Sequence, residues 1–252
     1  MPELADRLAA AGFVSAGEEA AELQAKAGGD DRRLTELVER RLAGEPLAWI
    51  VGGVSFCGLE VRVDPGVYVP RPHTEQLAGR AAERLPAEGT AVDVCTGSGA
   101  VAAVLADRRP GSTILATDVD ERAVACARAN GVDARAGDLF APLPPALPGH
   151  VDVVSAVVPY VPAPALSSLQ RDTFAFESPR AYDGGPDGTV ILRRVLAEGR
   201  IVLRPGGTLL LELGGGQADL LADDLAWLGF ADVSLLADED GDVRGIEATL
   251  AG

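Results

Sequence analysis

The spacing of apolar positions changes several times along this chain, and the changes divide it into stretches. Between residues 3 and 43 the spacing is helical. Leu4, Leu8 and Ala11 fall on one face, and Leu34, Leu37, Val38 and Leu42 on another. Gly28-Gly29-Asp30-Asp31 interrupts this pattern and offers an aspartate to cap the next helix. A small lobe of three helices is predicted, too small to be stable alone and docked on the rest of the chain. Packing and recognition of a partner are both open as its role.

From residue 44 the character turns to β. Apolar and β-branched runs at 49–54, 59–63 and 67–69 are separated by glycine turns, which predicts a hairpin linker over 44–75. Beyond it, strand-like and helix-like patterns alternate. Helices are predicted at 75–85, from 100, at 121–130, 189–202 and 217–227. Strands are predicted at 91–94, 112–117, 134–136, 151–158, 208–213, 231–236 and 245–250, with a sharp turn at 203–207. Such alternation predicts an α/β fold with a mostly parallel sheet over 76–252, the last two strands forming a hairpin. The expected organisation is therefore 1–43, 44–75 and 76–252.

Composition narrows the function classes. The chain has 252 residues, 47% hydrophobic and 24% charged, enough for a large core. No apolar run approaches the ~20 residues of a membrane span. The start of the chain lacks the basic and apolar segments of a signal peptide. Cys57, Cys95 and Cys126 have no metal-like spacing, and with no signal segment they predict free thiols and a cytoplasmic protein without a membrane partner. The net charge of -16 disfavours naked nucleic acid as substrate, because the phosphate backbone would be repelled. The acidic turn at 238–242 lacks the full calcium-loop pattern and is read as solvated, so no metal site is predicted.

Candidate chemistry centres on 91–101, AVDVCTGSGAV. A short buried strand carries Asp93 near its end. A turn with Thr96, Gly97 and Gly99 comes next, then a helix. Glycines there let the chain turn tightly and let a ligand approach the main chain. The spacing D-x-x-T-G-x-G is not the dinucleotide fingerprint G-x-G-x-x-G. Asp118, at the end of the next strand, suits a ribose: its two oxygens match a vicinal diol. Asp120 suits the N-cap of the adjoining helix instead.

The turn resembles the first motif of S-adenosylmethionine-dependent methyltransferases, and other segments make the resemblance more specific. Gly44, Pro46, Trp49, Ile50, Gly52, Phe56 and Gly58, then Pro70, Arg71, Pro72, Thr74 and Glu75, are similar to the linker of the protein-(glutamine-N5) methyltransferases of the HemK/PrmC type. Phe176-Glu177-Ser178-Pro179 and Asp183-Gly184-Gly185-Pro186-Asp187-Gly188 look like that family's later motifs. The glycines of the second stretch suit a tight loop over the site, and its aspartates suit turns and caps. The resemblance runs from about residue 35 to the end. It implies a class I methyltransferase fold, a seven-stranded sheet, with a small helical lobe in front. It implies S-adenosyl-L-methionine as cofactor, bound across Arg71, Pro72, Asp93, Thr96, Gly97, Gly99, Asp118, Val119, Asp138, Leu139 and Phe140. In that scheme Asp138 accepts from the adenine amino group. His73 stands where the family has an acid, and its residue type leaves a loop histidine and a catalytic base open.

The family's N-P-P-Y motif holds the acceptor nitrogen with its asparagine and a nearby backbone carbonyl, and its aromatic ring packs on the acceptor. Here the register holds Val157, Val158, Pro159 and Tyr160. Valine neither donates nor accepts a side-chain hydrogen bond. These four residues line the expected acceptor side, but the group that selects a planar amide is missing. Three readings are open. One is methylation of a glutamine on a release factor-like protein, held by backbone carbonyls. Another is an enzyme for a small-molecule acceptor, extending to non-methylating chemistry on a sulfonium adduct. The third is a non-catalytic protein that binds the cofactor.

Overall fold

The computed structural model describes residues 2–169 and 173–252. Its helices α1 (Pro2–Ala10), α2 (Ala16–Ala27) and α3 (Asp31–Leu42) pack around Leu8, Leu23, Leu37 and Val38, with Ile50 closing the cluster. Asp30 caps α3 by accepting from Arg33 N at 3.0 Å. Leu42 and Ala11, placed on the packing faces by spacing alone, are exposed. Lys26 Nζ donates to Val51 O at 2.6 Å, tying α2 to the linker.

The first β run is corrected. Leu47–Val51 is a short helix, α4, and only Gly53–Phe56 forms the strand β1, paired antiparallel with β2 (Leu59–Arg62). Pro46 sets the helix start, and Gly52, at φ 94°, ends it. Trp49 is thereby buried, with its Nε1 donating to Val67 O at 2.9 Å. Residues 67–69 form no strand.

Seven strands build the main sheet: β3 (Thr90–Val94), β4 (Thr113–Asp118), β5 (Asp133–Ala136), β6 (Val151–Ala156), β7 (Leu203–Glu212), β8 (Phe230–Ala237) and β9 (Val243–Leu250). Their order is β5-β4-β3-β6-β7-β9-β8. All run parallel except β9, which is antiparallel to both neighbours. β7 begins earlier than the sequence predicts: residues 203–207 belong to the strand, with a register shift against β6.

Helices α5 (Thr74–Arg84), α6 (Ala100–Arg108), α7 (Glu121–Ala129), α8 (Thr173–Phe176), α9 (Val190–Val202) and α10 (Gln217–Trp227) complete the chain. The period of two along each strand sorts the core. Val92, Val154, Leu209 and Leu211 join the cluster that includes Leu192, Leu196, Leu221 and Leu225 of α9 and α10. Ala91, Val153 and Leu210 face Leu77, Val101 and Leu105 of α5 and α6. Arg80 and Arg84 of α5 reach the buried Glu247 of β9 at 2.9 and 2.6 Å, supplying the countercharge a buried carboxylate needs.

Candidate active site

The order β4-β3-β6 puts the carboxyl ends of three parallel strands side by side, and a cavity of about 800 Å³ opens over them. That volume lies within the ~300–1,000 Å³ usual for small-molecule sites.

Asp93 ends near the cavity floor. It is 1% exposed, and its oxygens accept from Thr96 Oγ1 at 2.5 Å and Ser155 Oγ at 2.7 Å. Burial pushes its carboxyl up to about 6 despite these two hydroxyls. The turn after β3 brings Thr96, Gly97 and Ser98 to the cavity wall. Gly97 takes φ 56°, and no atom lies within 4 Å of where its Cβ would sit, so a ligand can lie against this main chain. Asp118 ends β4. Its Oδ2 accepts from Gly97 N and its Oδ1 from Asp120 N, each at 2.9 Å. Burial raises its pKa, and these backbone donors counter that rise. Val119 beside it is exposed and lines the cavity. Asp120 is the N-cap of α7, accepting from Arg122 N at 2.9 Å.

The other wall is the turn after β6. The strand stops at Ala156, so Val157, Val158, Pro159 and Tyr160 leave the sheet and line the cavity. Val158 is buried in the core, while Val157, Pro159 and Tyr160 are half-buried. The loop 183–188 clasps this turn. Val161 N donates to Tyr182 O at 2.8 Å and Gly184 N to Val161 O at 2.9 Å. A Cβ on Gly188 would stand 2.2 Å from Tyr160 O, so glycine is required there. Asp183 and Asp187 are turn and cap residues, accepting from Gly185 N and Thr189 N at 2.9 Å each.

Several expected cofactor residues lie elsewhere. Gly99 does not line the cavity: its Cβ would sit 2.9 Å from Ala127 Cβ, so its smallness lets the turn pack on α7. Asp138 turns outward to Arg194, with contacts at 2.9 and 3.1 Å, while Leu139 and Phe140 are buried in the core. Arg71 stands behind the cavity wall. Its Nη2 meets Glu177 Oε2 at 2.8 Å and Tyr182 OH at 2.9 Å, and its Nε meets Tyr68 OH at 3.3 Å. Pro72 is exposed and outside the lining. His73 is neither a free loop histidine nor a cavity residue: its Nε2 lies 3.3 Å from Glu212 Oε1.

The lining also includes Tyr68, Arg180 and Tyr182, which carry no motif signal, and Glu177, whose motif gives it no role by itself. Glu177 is 5% exposed and accepts from Val69 N at 3.2 Å, from Arg71 and from Tyr182 OH, closing the acceptor side. Asn130, the C-cap of α7, braces the glycine turn from outside the cavity. It accepts from Arg62 N at 2.9 Å and donates to Arg62 O at 2.9 Å and Ser98 O at 2.8 Å. The hairpin is thus fastened to the glycine turn.

These features fit S-adenosylmethionine. Asp118 sits at the cavity edge for a diol, and Gly97 leaves open main chain. Ser98 Oγ is buried with no protein partner among the described residues, as a group awaiting a ligand or water would be.

Comparison with known proteins agrees. Residues 59–140 match the model of the methyltransferase small domain family. A methyltransferase from Pyrococcus furiosus superposes with TM-score 0.57 at 17% identity, covering 95% of this chain and 100% of that one, which supports the fold. Fold and site together define a class I S-adenosylmethionine-dependent methyltransferase. The release factor glutamine methyltransferase of Geobacter sulfurreducens is 34% identical over 211 residues, 81% of this chain and 73% of that protein. That of Streptomyces coelicolor is 36% identical, over 80% and 76%. The chain belongs to the release factor glutamine methyltransferase family.

Proposed function

We propose that this enzyme methylates the side-chain amide of a glutamine on a release factor-type protein, with the amide held by the main chain of the 157–160 turn. The observation that carries this reading is the fixed backbone of that turn. Gln217 Nε2 donates to Tyr160 O at 2.7 Å, and the 183–188 loop pins Val161 on its far side. A backbone so held presents its remaining carbonyls in one orientation without an asparagine. The family relatives carry release factors in their names, which agrees with the reading.

When bound, the sulfonium cofactor supplies a methyl group already activated for transfer, so the protein's task is alignment. Holding the reacting atoms in line accounts for much of such a barrier reduction, up to ~7–11 kcal/mol. Asp118 and the 96–98 turn would hold the donor. Val157, Pro159 and Tyr160 would exclude water from the acceptor and set its plane, with the Arg71–Glu177–Tyr182 group as the opposite wall.

A second reading is carried by Val157. An apolar side chain at the acceptor position suits a less polar, small-molecule acceptor. Intact-mass and fragment analysis of a release factor incubated with enzyme and S-adenosylmethionine separates the two. One added methyl on a glutamine is the expected result. No added methyl, with cofactor binding shown in parallel, overturns the glutamine reading. The Val157→Asn variant adds a second test: it should raise release-factor methylation by about tenfold, the value of one hydrogen bond to the amide.

A further inference from the structure

Tyr160 is gripped at both ends by one connection, residues 212–217, which joins β7 to α10. Glu212 ends β7 at 1% exposure. Its Oε1 accepts from Tyr160 OH at 3.1 Å. Thr74 Oγ1 donates to its Oε2 at 2.6 Å, and His73 Nε2 lies 3.3 Å from Oε1. Gln217 opens α10, also buried. Its Nε2 donates to Tyr160 O at 2.7 Å and Asp187 O at 3.3 Å, while its Oε1 accepts from Gly214 N at 2.9 Å. A Cβ on Gly214 would lie 3.6 Å from Tyr160 Cε2, so the same connection also passes along the ring.

Packing alone does not call for this arrangement. A buried carboxylate is costly unless its oxygens are satisfied, and an apolar residue would fill the same space at less cost. The hydroxyl and carbonyl of one tyrosine are fixed from a single side, leaving the ring little freedom to tilt. The need for such control is acute in this chain. Val157 provides no polar side chain to orient an acceptor, so on this wall orientation falls to the main-chain carbonyls of the 157–160 turn and to the plane of the Tyr160 ring. Misplacement of reacting groups by about 1 Å can cost about a hundredfold in rate.

We infer that Glu212 and Gln217 are positioning residues that fix the Tyr160 ring and so set the orientation of the methyl acceptor. The inference rests on the acceptor lying beside Tyr160, as proposed above, but not on its being glutamine.

The test uses the full chain with its tyrosine rings isotope-labelled, saturated with S-adenosylhomocysteine. Tyr160→Phe assigns the Tyr160 signals among the three tyrosines. In the unmodified protein the Tyr160 ring should give sharp signals, the mark of a ring held in one tilt. Glu212→Gln, which turns an NH2 toward donors, and Gln217→Glu, which removes the donor to Tyr160 O, should each broaden them as the ring samples several tilts. Calorimetry with S-adenosylhomocysteine should show cofactor affinity unchanged within about twofold in both, a result that general collapse of the fold would not give. With a release factor as acceptor, kcat should drop about tenfold or more while the KM for cofactor holds. Ring signals already broad in the unmodified protein overturn the inference. So do signals that stay sharp in both variants. If the unmodified enzyme leaves the release factor unmethylated, the glutamine reading fails, and the ring signals still decide the positioning roles.

Discussion

Gly97 donates its backbone N–H to Asp118 Oδ2 across 2.9 Å, so the turn that ends β3 and the acid that ends β4 are one unit. A ligand that bonds to this carboxylate also settles against the turn. Asp118→Ala removes both the proposed acceptor for a ribose and the tie to Gly97. Cofactor affinity should fall by about tenfold to a hundredfold, since hydrogen bonds to a charged group are worth ~1.5–3 kcal/mol. Calorimetric titration with S-adenosylmethionine checks it, and affinity unchanged in the variant would remove Asp118 from the donor site.

Asp93 gives a pH signature. Its folded pKa, about 6, lies above the ordinary value of 3.8 because the side chain is buried. Between those values the folded protein holds a proton that the unfolded chain releases. The group's contribution to stability is therefore most favourable at low pH and declines as pH rises through 6, by on the order of 3 kcal/mol in all. Asp93→Asn should flatten that part of the stability profile, comparing urea midpoints at pH 4.5 and pH 7.5. A profile of unchanged slope would show that Asp93 is ionised throughout.

Gly188 and Gly215 form a matched pair. Both have positive φ, 77° and 51°, but Gly215 has open space where a Cβ would go, whereas Gly188 faces Tyr160 O and Gln217 Nε2 at 2.2 and 2.3 Å. Gly215→Ala should cost ~1–2 kcal/mol, the left-handed penalty alone. Gly188→Ala should add the ~1–3 kcal/mol of overpacking and disturb the Tyr160 clasp. Thermal melts of the two variants, side by side, measure the difference.

Arg71 separates wall from ligand. Its guanidinium is committed to Glu177, which is nearly sealed from solvent. Arg71→Ala leaves that carboxylate without its cation and should destabilise the protein by ~3 kcal/mol or more. Cofactor affinity should stay within about threefold at a temperature where the variant remains folded. A large loss of affinity with little loss of stability would return Arg71 to the cofactor.

The same contrast between wall and ligand marks what a sequence can reveal. The elements around Asp93, Gly97 and Asp118 are local: strand, turn and acid succeed one another within a short stretch, and their spacing carries their geometry. The turn 157–160 is located by its resemblance to the N-P-P-Y motif rather than by spacing, and the strand before it ends at Ala156, two residues earlier than its apolar run predicts. Arg71 and Asp138 differ from expectation because their partners lie far along the chain, at separations of 106 and 56 residues, and no spacing rule reaches that far. Gly99 differs because glycine serves close helix packing as readily as ligand approach, and only Ala127 tells the two apart. Residues 49–51 read as strand because a short, continuous apolar run has no period to distinguish helix from strand. The ring contact with Phe176, at 6.3 Å between centroids, and the bond to Val67 decide where Trp49 goes.

Asn130 places a limit on how such an enzyme can change. One amide fastens the hairpin to the glycine turn through main-chain atoms alone, so the separation between them is indifferent to which side chains Arg62 and Ser98 carry. Either residue can therefore be replaced without loosening the latch, whereas Asn130 itself is hard to exchange, because no other side chain of that length both donates twice and accepts once.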